Sequence, residues 1–323
     1  MFAGVDHGTT AIRFATSEGR CWELPRINAS ALSPESIIDR FRQNLGSEVQ
    51  LIAMSYSMGD GLTEIVRLED APNRGLIQQD GAGAHVGGGT RVFDAIEGSG
   101  WPAILLPGIH RDSDTDNRLK IFSHGMSGEK VGLAYFVYKK GVPSFIVCDA
   151  SSNTVTFGVV RGKIIGAIDA PIFAPGLTQG PLDVNAIRSV DSGKMTANQA
   201  FSSGGILAKL GYSNLEECGP EMRKHALDSL ALFAAMEIRA MEVLLKDLGE
   251  ASPALYLAGS PAHEIEPRVS DLLCREVKSL GRCAAAQGCA MIAADVFNGV
   301  PEILGLKVNE RARSWTRCNP ALL

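Results

Sequence analysis

The sequence predicts an α/β fold made of two related domains, and three observations support this prediction. The chain has 323 residues, which is long for a single hydrophobic core and suits two domains. Short apolar runs typical of buried strands alternate with longer segments of helical periodicity. Residues 145–163 also repeat the pattern of residues 2–20 without a gap, at a spacing close to half the chain.

The two copies of the repeat carry similar residues at equivalent positions of a strand–turn–strand pattern. Each copy predicts an apolar strand that ends at an aspartate, a tight turn of hydroxyl residues and a second strand. In the later copy a third strand is predicted over 164–168. The aligned pairs include Asp6 with Asp149, Thr9 with Ser152, Phe14 with Phe157 and, as the exception, Gly8 with Ser151. Duplication of one ancestral unit explains these matching strand ends and turns better than chance similarity over so few residues.

Apolar patterns predict the other main elements. Apolar residues at steps of three and four predict a long helix over 221–248, and Gly249 can supply its left-handed end. The remaining predictions are strands over 51–54, 102–106 and 254–258, a loop over 56–61 and a helix over 284–297.

Charge and hydropathy exclude several classes of protein. A net charge of −5 provides no basic surface for nucleic acid or anionic lipid. No apolar run is long enough to span a bilayer. The start of the chain lacks the cationic leader of a signal peptide, and Asp6 interrupts its first apolar run. We therefore expect a cytoplasmic protein that binds neither nucleic acid nor membranes.

The seven cysteines show no Cys-x-x-Cys spacing that would indicate a zinc site or a dithiol motif. We expect reduced and mostly buried thiols. The alternative is an iron–sulfur cluster that Cys283 and Cys289 share with their counterparts across a homodimer.

The first turn has the residues of an anion-binding site. Gly8 allows a sharp turn and a close approach to a ligand, and the hydroxyl groups of Thr9 and Thr10 converge beside it with the turn amides. Asp6 suits a hydrated Mg²⁺ rather than a phosphate, and Arg13 lies within reach on the second strand.

The second copy supplies a matching set of residues, namely Asp149, Ser151, Ser152 and Asn153. Two facing turns with two acids suit a triphosphate and its metal, so ATP and Mg²⁺ are the expected cofactors. A plain hairpin turn is the alternative for either copy taken alone.

These motifs resemble the sugar kinase, actin and heat-shock-chaperone ATPase superfamily. Val5-Asp6-His7-Gly8-Thr9-Thr10 and the copy at Asp149 are similar to its two phosphate motifs, and Ala258-Gly259-Ser260-Pro261 resembles its adenosine motif. The resemblance implies two ribonuclease-H-like (actin-like ATPase) domains with a nucleotide cleft between them. We expect them over residues 1–122 and 123–301, with the tail 302–323 packed on the first.

Within the superfamily, the butyrate and acetate kinases look nearest. Ile121-Phe122-Ser123-His124 is similar to the segment that enters their second domain. The run 191–196, followed by 204–211, resembles a butyrate kinase motif and implies that Gly204 and Gly205 bind the nucleotide. Two departures argue against a butyrate or acetate kinase. Ala150, Ser151 and Ser152 stand where those kinases carry glycines, which makes the backbone approach to a ligand poorer. Thr178-Gln179-Gly180 stands where their acid-binding arginine follows the substrate-side loop, and loss of this bidentate anchor argues against a simple carboxylate substrate.

A further resemblance is to methanogenesis marker protein 12, an archaeal family without an assigned reaction. The sequence is similar to that family in three segments, 2–10, 56–61 and 86–94. This resemblance implies a methanogen as the source, and it bears on fold more than on function.

Three residues are catalytic candidates. Arg91 follows a glycine-rich stretch and is either on a lip over the cleft or in a surface turn. His124 either stabilises a phosphoryl or carbonyl oxygen, as the resemblance implies, or is a helix-capping or interdomain histidine. Asp60 is either a general base or a turn aspartate.

Two functions follow. The first is a phosphotransferase with a small-molecule phosphoryl acceptor, and the second is a non-kinase ATPase or nucleotide-dependent switch with a protein partner. A member that binds no nucleotide is a weaker third alternative, because Ser151 replaces a glycine.

Overall fold

The computed structural model describes residues 1–56, 58–78 and 87–315 and confirms a mixed α/β fold. Ser57 and Val86, from two of the segments used above, lie outside these ranges. Within the described ranges, no helix is both long and apolar enough to cross a membrane. The elements up to residue 126 are β1 (Phe2–Asp6), β2 (Ala11–Thr16), β3 (Cys21–Pro25), α1 (Arg26–Ala31), α2 (Pro34–Leu45), β4 (Leu51–Met54), β5 (Val66–Arg67), α3 (Gly89–Gly98), β6 (Ala103–Leu105), β7 (Ile109–His110) and β8 (His124–Met126).

A second set of elements follows. These are α4 (Gly128–Tyr138), β9 (Phe145–Ala150), β10 (Thr154–Val160), β11 (Lys163–Ile168), α5 (Val184–Asp191), α6 (Ala197–Ser202), α7 (Ile206–Lys209), α8 (Pro220–Asp247), β12 (Ala254–Ala258), α9 (Ala262–Leu273), β13 (Lys278–Ser279), α10 (Ala284–Phe297), β14 (Glu302–Ile303) and β15 (Leu306–Lys307). Four short 3₁₀ turns cover Leu68–Asp70, Pro72–Gly75, Leu119–Ile121 and Arg311–Arg313.

Two sheets share one strand plan. The first has the order β3-β2-β1-β4-β6-β5, and the second has the order β11-β10-β9-β12-β13. Each begins with three antiparallel strands and continues with a parallel strand beside the first of them. This shared plan agrees with the predicted repeat, and it places the aspartate ends of β1 and β9 at corresponding sheet edges.

Helices cover the outer face of each sheet. The start of α2 is defined by Ser33, whose side chain accepts a hydrogen bond from the Ser36 amide, and by Pro34 in the first turn. Its buried side chains, among them Phe41, pack on the first sheet with those of α3. On the second sheet, α8 and α9 form the outer layer. The predicted end of α8 is confirmed, since Gly249 follows it with φ +86°.

Helices α4 and α10 pack against each other and against the first sheet. A Cβ at Gly288 would overlap the carbonyl oxygen of Gly132, and a Cβ at Gly4 would overlap the carbonyl oxygen of Ala286. Only glycine fits at these positions. The central core formed here also takes side chains from β9 and β10 of the second sheet, so the two helices hold both sheets in place.

The gapless alignment of the repeat is wrong beyond the turn, because the second hairpin is one residue shorter. Arg13 lies opposite Asp6 in the first hairpin, whereas Val155 lies opposite Asp149 in the second. A shift of one residue moves a side chain to the other face of a sheet. Phe14 accordingly packs in the outer core of the first sheet, whereas Phe157 packs in the central core.

The cysteine prediction is wrong for two residues. Cys21 and Cys283 form a disulfide across 262 residues, with their Cα atoms 6.3 Å apart. Spacing along the chain did not reveal this pair, since the fold alone brings β3 and the start of α10 together. Cys289 is buried against Gly132, so the alternative of a cluster shared by Cys283 and Cys289 is also wrong. Cys318 lies outside the described residues.

The described part of the tail contacts both sheets. Val308 forms a parallel bridge with Ile65, and Arg67 donates a hydrogen bond of 2.7 Å to the Arg311 carbonyl. On the other side, the Ile164 amide donates to the Leu304 carbonyl. The boundaries at 122 and 301 stay a prediction.

Ionisation of a carboxyl group buried behind the second sheet should affect stability. Glu237 on α8 is fully buried, and its Oε1 accepts a 3.2 Å hydrogen bond from the Ala174 amide. Burial raises the pKa of Glu237 from 4.5 to about 8. The unfolded chain therefore loses this proton near pH 4.5, while the folded chain keeps it to about pH 8. Stability should fall as pH rises through this interval.

We predict that Glu237→Gln becomes more stable relative to the wild type as pH rises from 5 to 9, by roughly 3–5 kcal/mol at about 1.4 kcal/mol per pKa unit. Urea unfolding at several pH values would measure this difference. Glu221→Gln, at an exposed position of the same helix, is the matched control and should show no such trend. A constant difference between Glu237→Gln and wild type across this range would contradict the prediction.

Candidate functional site

An open cleft lies between the two hairpins, with an empty volume of about 790 Å³. It is formed at the aspartate ends of β1 and β9, together with the start of α4 and the segment before α10. Most residues predicted to bind nucleotide or metal lie along it, namely Asp6, Gly8, Thr9, Thr10, Arg13, Asp149, Ser151, Ser152, Asn153, Gly259 and Ser260.

In the first hairpin, the turn geometry requires a glycine. A Cβ at Gly8 would lie 2.7 Å from the Ala11 carbonyl oxygen. Arg13 contacts Asp6 at 3.6 Å and donates to Glu23 at 2.8 Å, so β3 holds the arginine in the cleft. Burial and the nearby charge of Glu129 raise the pKa of Asp6 to about 7, although Arg13 opposes this shift.

The second hairpin has a tighter turn. The Ser151 amide donates to the Asn153 carbonyl at 2.9 Å, and the Ser152 carbonyl accepts hydrogen bonds from the amides of Thr178 and Gln179. The segment at Thr178 thus supports the hairpin from behind.

Gly204 and Gly205 belong to this support and do not line the cleft. The Gly205 amide donates to the Thr178 carbonyl at 3.1 Å, and a Cβ at Gly205 would overlap the Thr178 backbone. Their position gives them a role in packing behind the second hairpin.

A buried lysine of α4, which was not predicted from the sequence, lies between its neighbour Glu129 and Asp149 of the second hairpin. Lys130 Nζ lies 3.0 Å from Glu129 Oε1 and 3.0 Å from Asp149 Oδ2. Burial opposes its charge, but Asp149 and Glu129 together raise the pKa of Lys130. Burial likewise opposes ionisation of Glu129, yet Lys130 holds its pKa below the usual range. The register explains this arrangement, because Val155 on the strand opposite Asp149 carries no charge.

The predicted adenosine motif follows β12 as expected. Gly259 has φ +102°, and a Cβ there would overlap the Ala150 carbonyl oxygen. The backbone of this motif therefore lies directly against the second hairpin. Arg282 and Ala285, at the start of α10, complete this side of the cleft.

The glycine-rich stretch is attached to the first hairpin by an arginine. Arg26 donates to the carbonyl oxygens of Gly8 at 2.8 Å and Gly87 at 3.3 Å. His7, between Asp6 and Gly8, is buried, and desolvation together with the charge of Arg26 lowers its pKa to about 3. A neutral His7 cannot act as an acid near pH 7. Arg91 is exposed on α3 and is not among the residues that line the cleft.

His124 and Asp60 also lie outside the cleft lining. His124 Nδ1 is 3.0 Å from Asp169 Oδ2, and its Nε2 is 3.4 Å from the Met58 carbonyl. Burial disfavours its charge, but the bond and the charge of Asp169 outweigh this and raise the pKa of His124. Asp60 accepts a hydrogen bond from the Ile77 amide at 3.1 Å. The structure thus does not bring the three catalytic candidates to the phosphate motifs.

Comparisons with known proteins identify relatives along the whole chain, although no protein-family model matches it. A UPF0285 protein of Methanosarcina mazei is 48% identical over 322 residues, which cover 95% of this chain and 99% of that protein. A UPF0285 protein of Methanocaldococcus jannaschii is 38% identical over 325 residues and 94% of this chain, covering 98% of that protein. These names leave the resemblance to methanogenesis marker protein 12 as a prediction.

Among solved structures, the chain is similar to acetate kinase from Entamoeba histolytica. The TM-score is 0.51 at 13% identity, over 84% of this chain and 85% of that one. At this identity the similarity shows the fold alone. The predicted fold, two actin-like ATPase domains, is confirmed.

We predict that Lys130→Met destabilises the protein by about 3 kcal/mol, because it leaves the half-buried carboxylates of Glu129 and Asp149 without the cation between them. Urea unfolding would measure the loss. Lys139→Met is the matched control, since Lys139 Nζ pairs with Asp295 at 3.0 Å near the surface and should contribute about 1 kcal/mol or less. Adding Asp149→Asn to Lys130→Met should restore part of the loss. A Lys130→Met protein as stable as its control would contradict this account.

Proposed function

The chain belongs to the UPF0285 family, and we propose that it binds ATP with Mg²⁺ in the cleft and transfers the terminal phosphoryl group to a small-molecule acceptor. One observation carries this proposal. Both phosphate hairpins and the Gly259–Ser260 motif line the same cleft, although they come from three distant parts of the chain. A similar two-domain fold in an acetate kinase supports a kinase-like use of the cleft.

The residues present fit a nucleotide. Gly8 and Gly259 lie where a side chain would enter neighbouring backbone, so only glycine allows the tight turns that form the two hairpin sides of the cleft. The hydroxyl groups of Thr9 and Ser152 and the turn amides are donors suited to phosphate oxygens.

The acids also fit a hydrated cation. Asp149 Oδ1 is buried and has no hydrogen-bond partner among the described residues. Nowhere among the described residues do three or more His, Cys, Asp or Glu side chains form a group that could hold a metal ion directly. Asp6 and Asp149 would therefore hold Mg²⁺ through its water ligands, as this ion commonly requires. When bound, the metal neutralises phosphate charge and polarises the transferred group.

The chain's own residues would supply the remaining electrostatic stabilisation. Lys130 and Arg13 are positive groups fixed in the cleft by Asp149 and by Glu23, so they need no rearrangement as charge develops on the phosphoryl oxygens. Closure of the two sheets on the nucleotide would exclude water from this site.

A second candidate function is a nucleotide-dependent switch that acts on a protein partner. The placement of Arg91, His124 and Asp60 outside the cleft favours it, because the candidate acceptor-side groups are not assembled beside the phosphate motifs. The missing arginine after the loop near Thr178 points the same way, since a carboxylate acceptor would lack a bidentate anchor.

We predict that isothermal titration calorimetry detects ATP binding to the wild type with Mg²⁺ present. Asp6→Ala should weaken this binding roughly 10- to 100-fold, the range expected for loss of a charge-assisted contact. Asp191→Ala, an exposed aspartate at the end of α5, is the control and should bind as the wild type does.

Assays for ADP release with a panel of small acceptors separate the two functions. Acceptor-dependent ADP release supports the phosphotransferase, whereas tight binding without it supports the switch. Absence of any binding heat and of any ATP-dependent rise in melting temperature would overturn both.

A further inference from the structure

We propose that Cys21 and Cys283 form a reversible thiol–disulfide site that controls how firmly the cleft holds its ligand. The bridge joins two parts of the molecule that lie far apart in sequence. Cys21 is the first residue of β3 in the first sheet, and Cys283 is the residue directly before α10. The 6.3 Å between their Cα atoms is within the usual range for a disulfide.

Each half of the bridge is close in sequence to a residue that presents or holds a positive charge in the cleft. Cys283 follows Arg282, and both Arg282 and Ala285 line the cleft. On the other side, β3 also carries Glu23, which accepts the 2.8 Å hydrogen bond from Arg13. The disulfide therefore fixes the distance between the strand that positions Arg13 and the helix start that presents Arg282.

The segment 281–283, directly before α10, is exposed or half-buried, and the disulfide attaches it to the first sheet. The helix itself is held from its first turn onward, because Ala286 packs against Gly4 of β1 and Gly288 packs against Gly132 of α4. Gln287 Nε2 adds an exposed hydrogen bond of 3.2 Å to the Gly19 carbonyl. Reduction of the bridge should thus loosen the segment 281–283, which includes the cleft-lining Arg282, while α10 stays packed.

The pair is accessible to a reductant. Cys21 is exposed and Cys283 is half-buried, whereas Cys148 and Cys289 are fully buried. The chemistry requires a dithiol as co-reactant. Its thiolate attacks Sγ of Cys21 and forms a mixed disulfide, and Cys283 leaves as a thiolate.

The second thiol of the reductant then displaces Cys21, which also leaves as a thiolate. Two electrons pass from the dithiol to the bridge, and the two protein thiolates take up the two protons that the dithiol releases. The products are two protein thiols and one cyclic disulfide of the reductant.

The effect on the ligand rests on the proposed nucleotide cleft, but the bridge itself does not. We expect that alkylation of the denatured protein, followed by mass spectrometry, modifies Cys21 and Cys283 only after dithiothreitol treatment. The wild type should bind ATP with Mg²⁺ several-fold to about tenfold more weakly after reduction, within the usual range of coupling between two sites. Reoxidation with a small-molecule disulfide should restore the affinity.

Two variants control this experiment. Cys21→Ser combined with Cys283→Ser should bind as the reduced wild type does and should not respond to dithiothreitol. Cys274→Ser removes an exposed free thiol elsewhere and should respond as the wild type does. Because the reduced wild type carries no substitution, its affinity answers the question even where the double variant folds poorly.

Amide hydrogen exchange separates failure of this proposal from failure of the nucleotide assignment. Faster exchange over residues 281–284 after reduction supports the site even without ATP binding, because the Ala284 amide donates to the Gly281 carbonyl. Alkylation of both cysteines in protein treated only with the oxidant would overturn the proposal. So would equal ATP affinity in the two redox states, or, where no ATP binds, equal exchange over 281–284.

Discussion

The close approach of α10 to α4 and β1 is the constraint on which the rest of the structure depends. It is possible because Gly4, Gly132 and Gly288 carry no side chain that would enter the neighbouring backbone. The contact fixes the helices between the two sheets, so the two hairpins face each other across the cleft in a fixed arrangement. It also sets the start of α4 beside Asp149 and the start of α10 beside the cleft opening.

The two halves of the cleft neutralise equivalent acids by different routes. Asp6 is paired by Arg13 from the neighbouring strand, whereas Asp149 is paired by Lys130 from a helix. The difference follows from turn length, since the shorter second turn places Val155 opposite the acid. A duplicated hairpin can thus lose its own cation when a neighbouring element supplies one at the same point in space.

Elements with a strong local pattern could be predicted from sequence, and residues that depend on register or tertiary contact could not. The strands over 51–54 and 254–258 and the helix over 284–297 are confirmed with those bounds. The two hairpins are also confirmed, because their turns follow apolar strands.

The one-residue difference in length between the two hairpins could not be predicted. Phe14 and Phe157 align as the same residue type, although they face opposite sides of their sheets. Gly128-Glu129-Lys130 after β8 was the only local sign of the cleft lysine, and a charged helix start is usually solvated. Cys21 and Cys283 carried no signal at all, because only the fold brings them together.

The charges in the cleft indicate which form of a nucleotide it suits. Asp6, Glu129 and Asp149 line it together with Arg13, Lys130 and Arg282, so acids and bases balance before any ligand enters. A free triphosphate would bring about four negative charges close to the three carboxylates, and charges of the same sign repel one another at short range. A divalent cation removes part of that charge and also lowers the cost of ionising Asp6, whose pKa is raised to about 7 by burial and by Glu129. The proposed complex of Mg²⁺ and nucleotide therefore suits these charges better than a bare phosphate would.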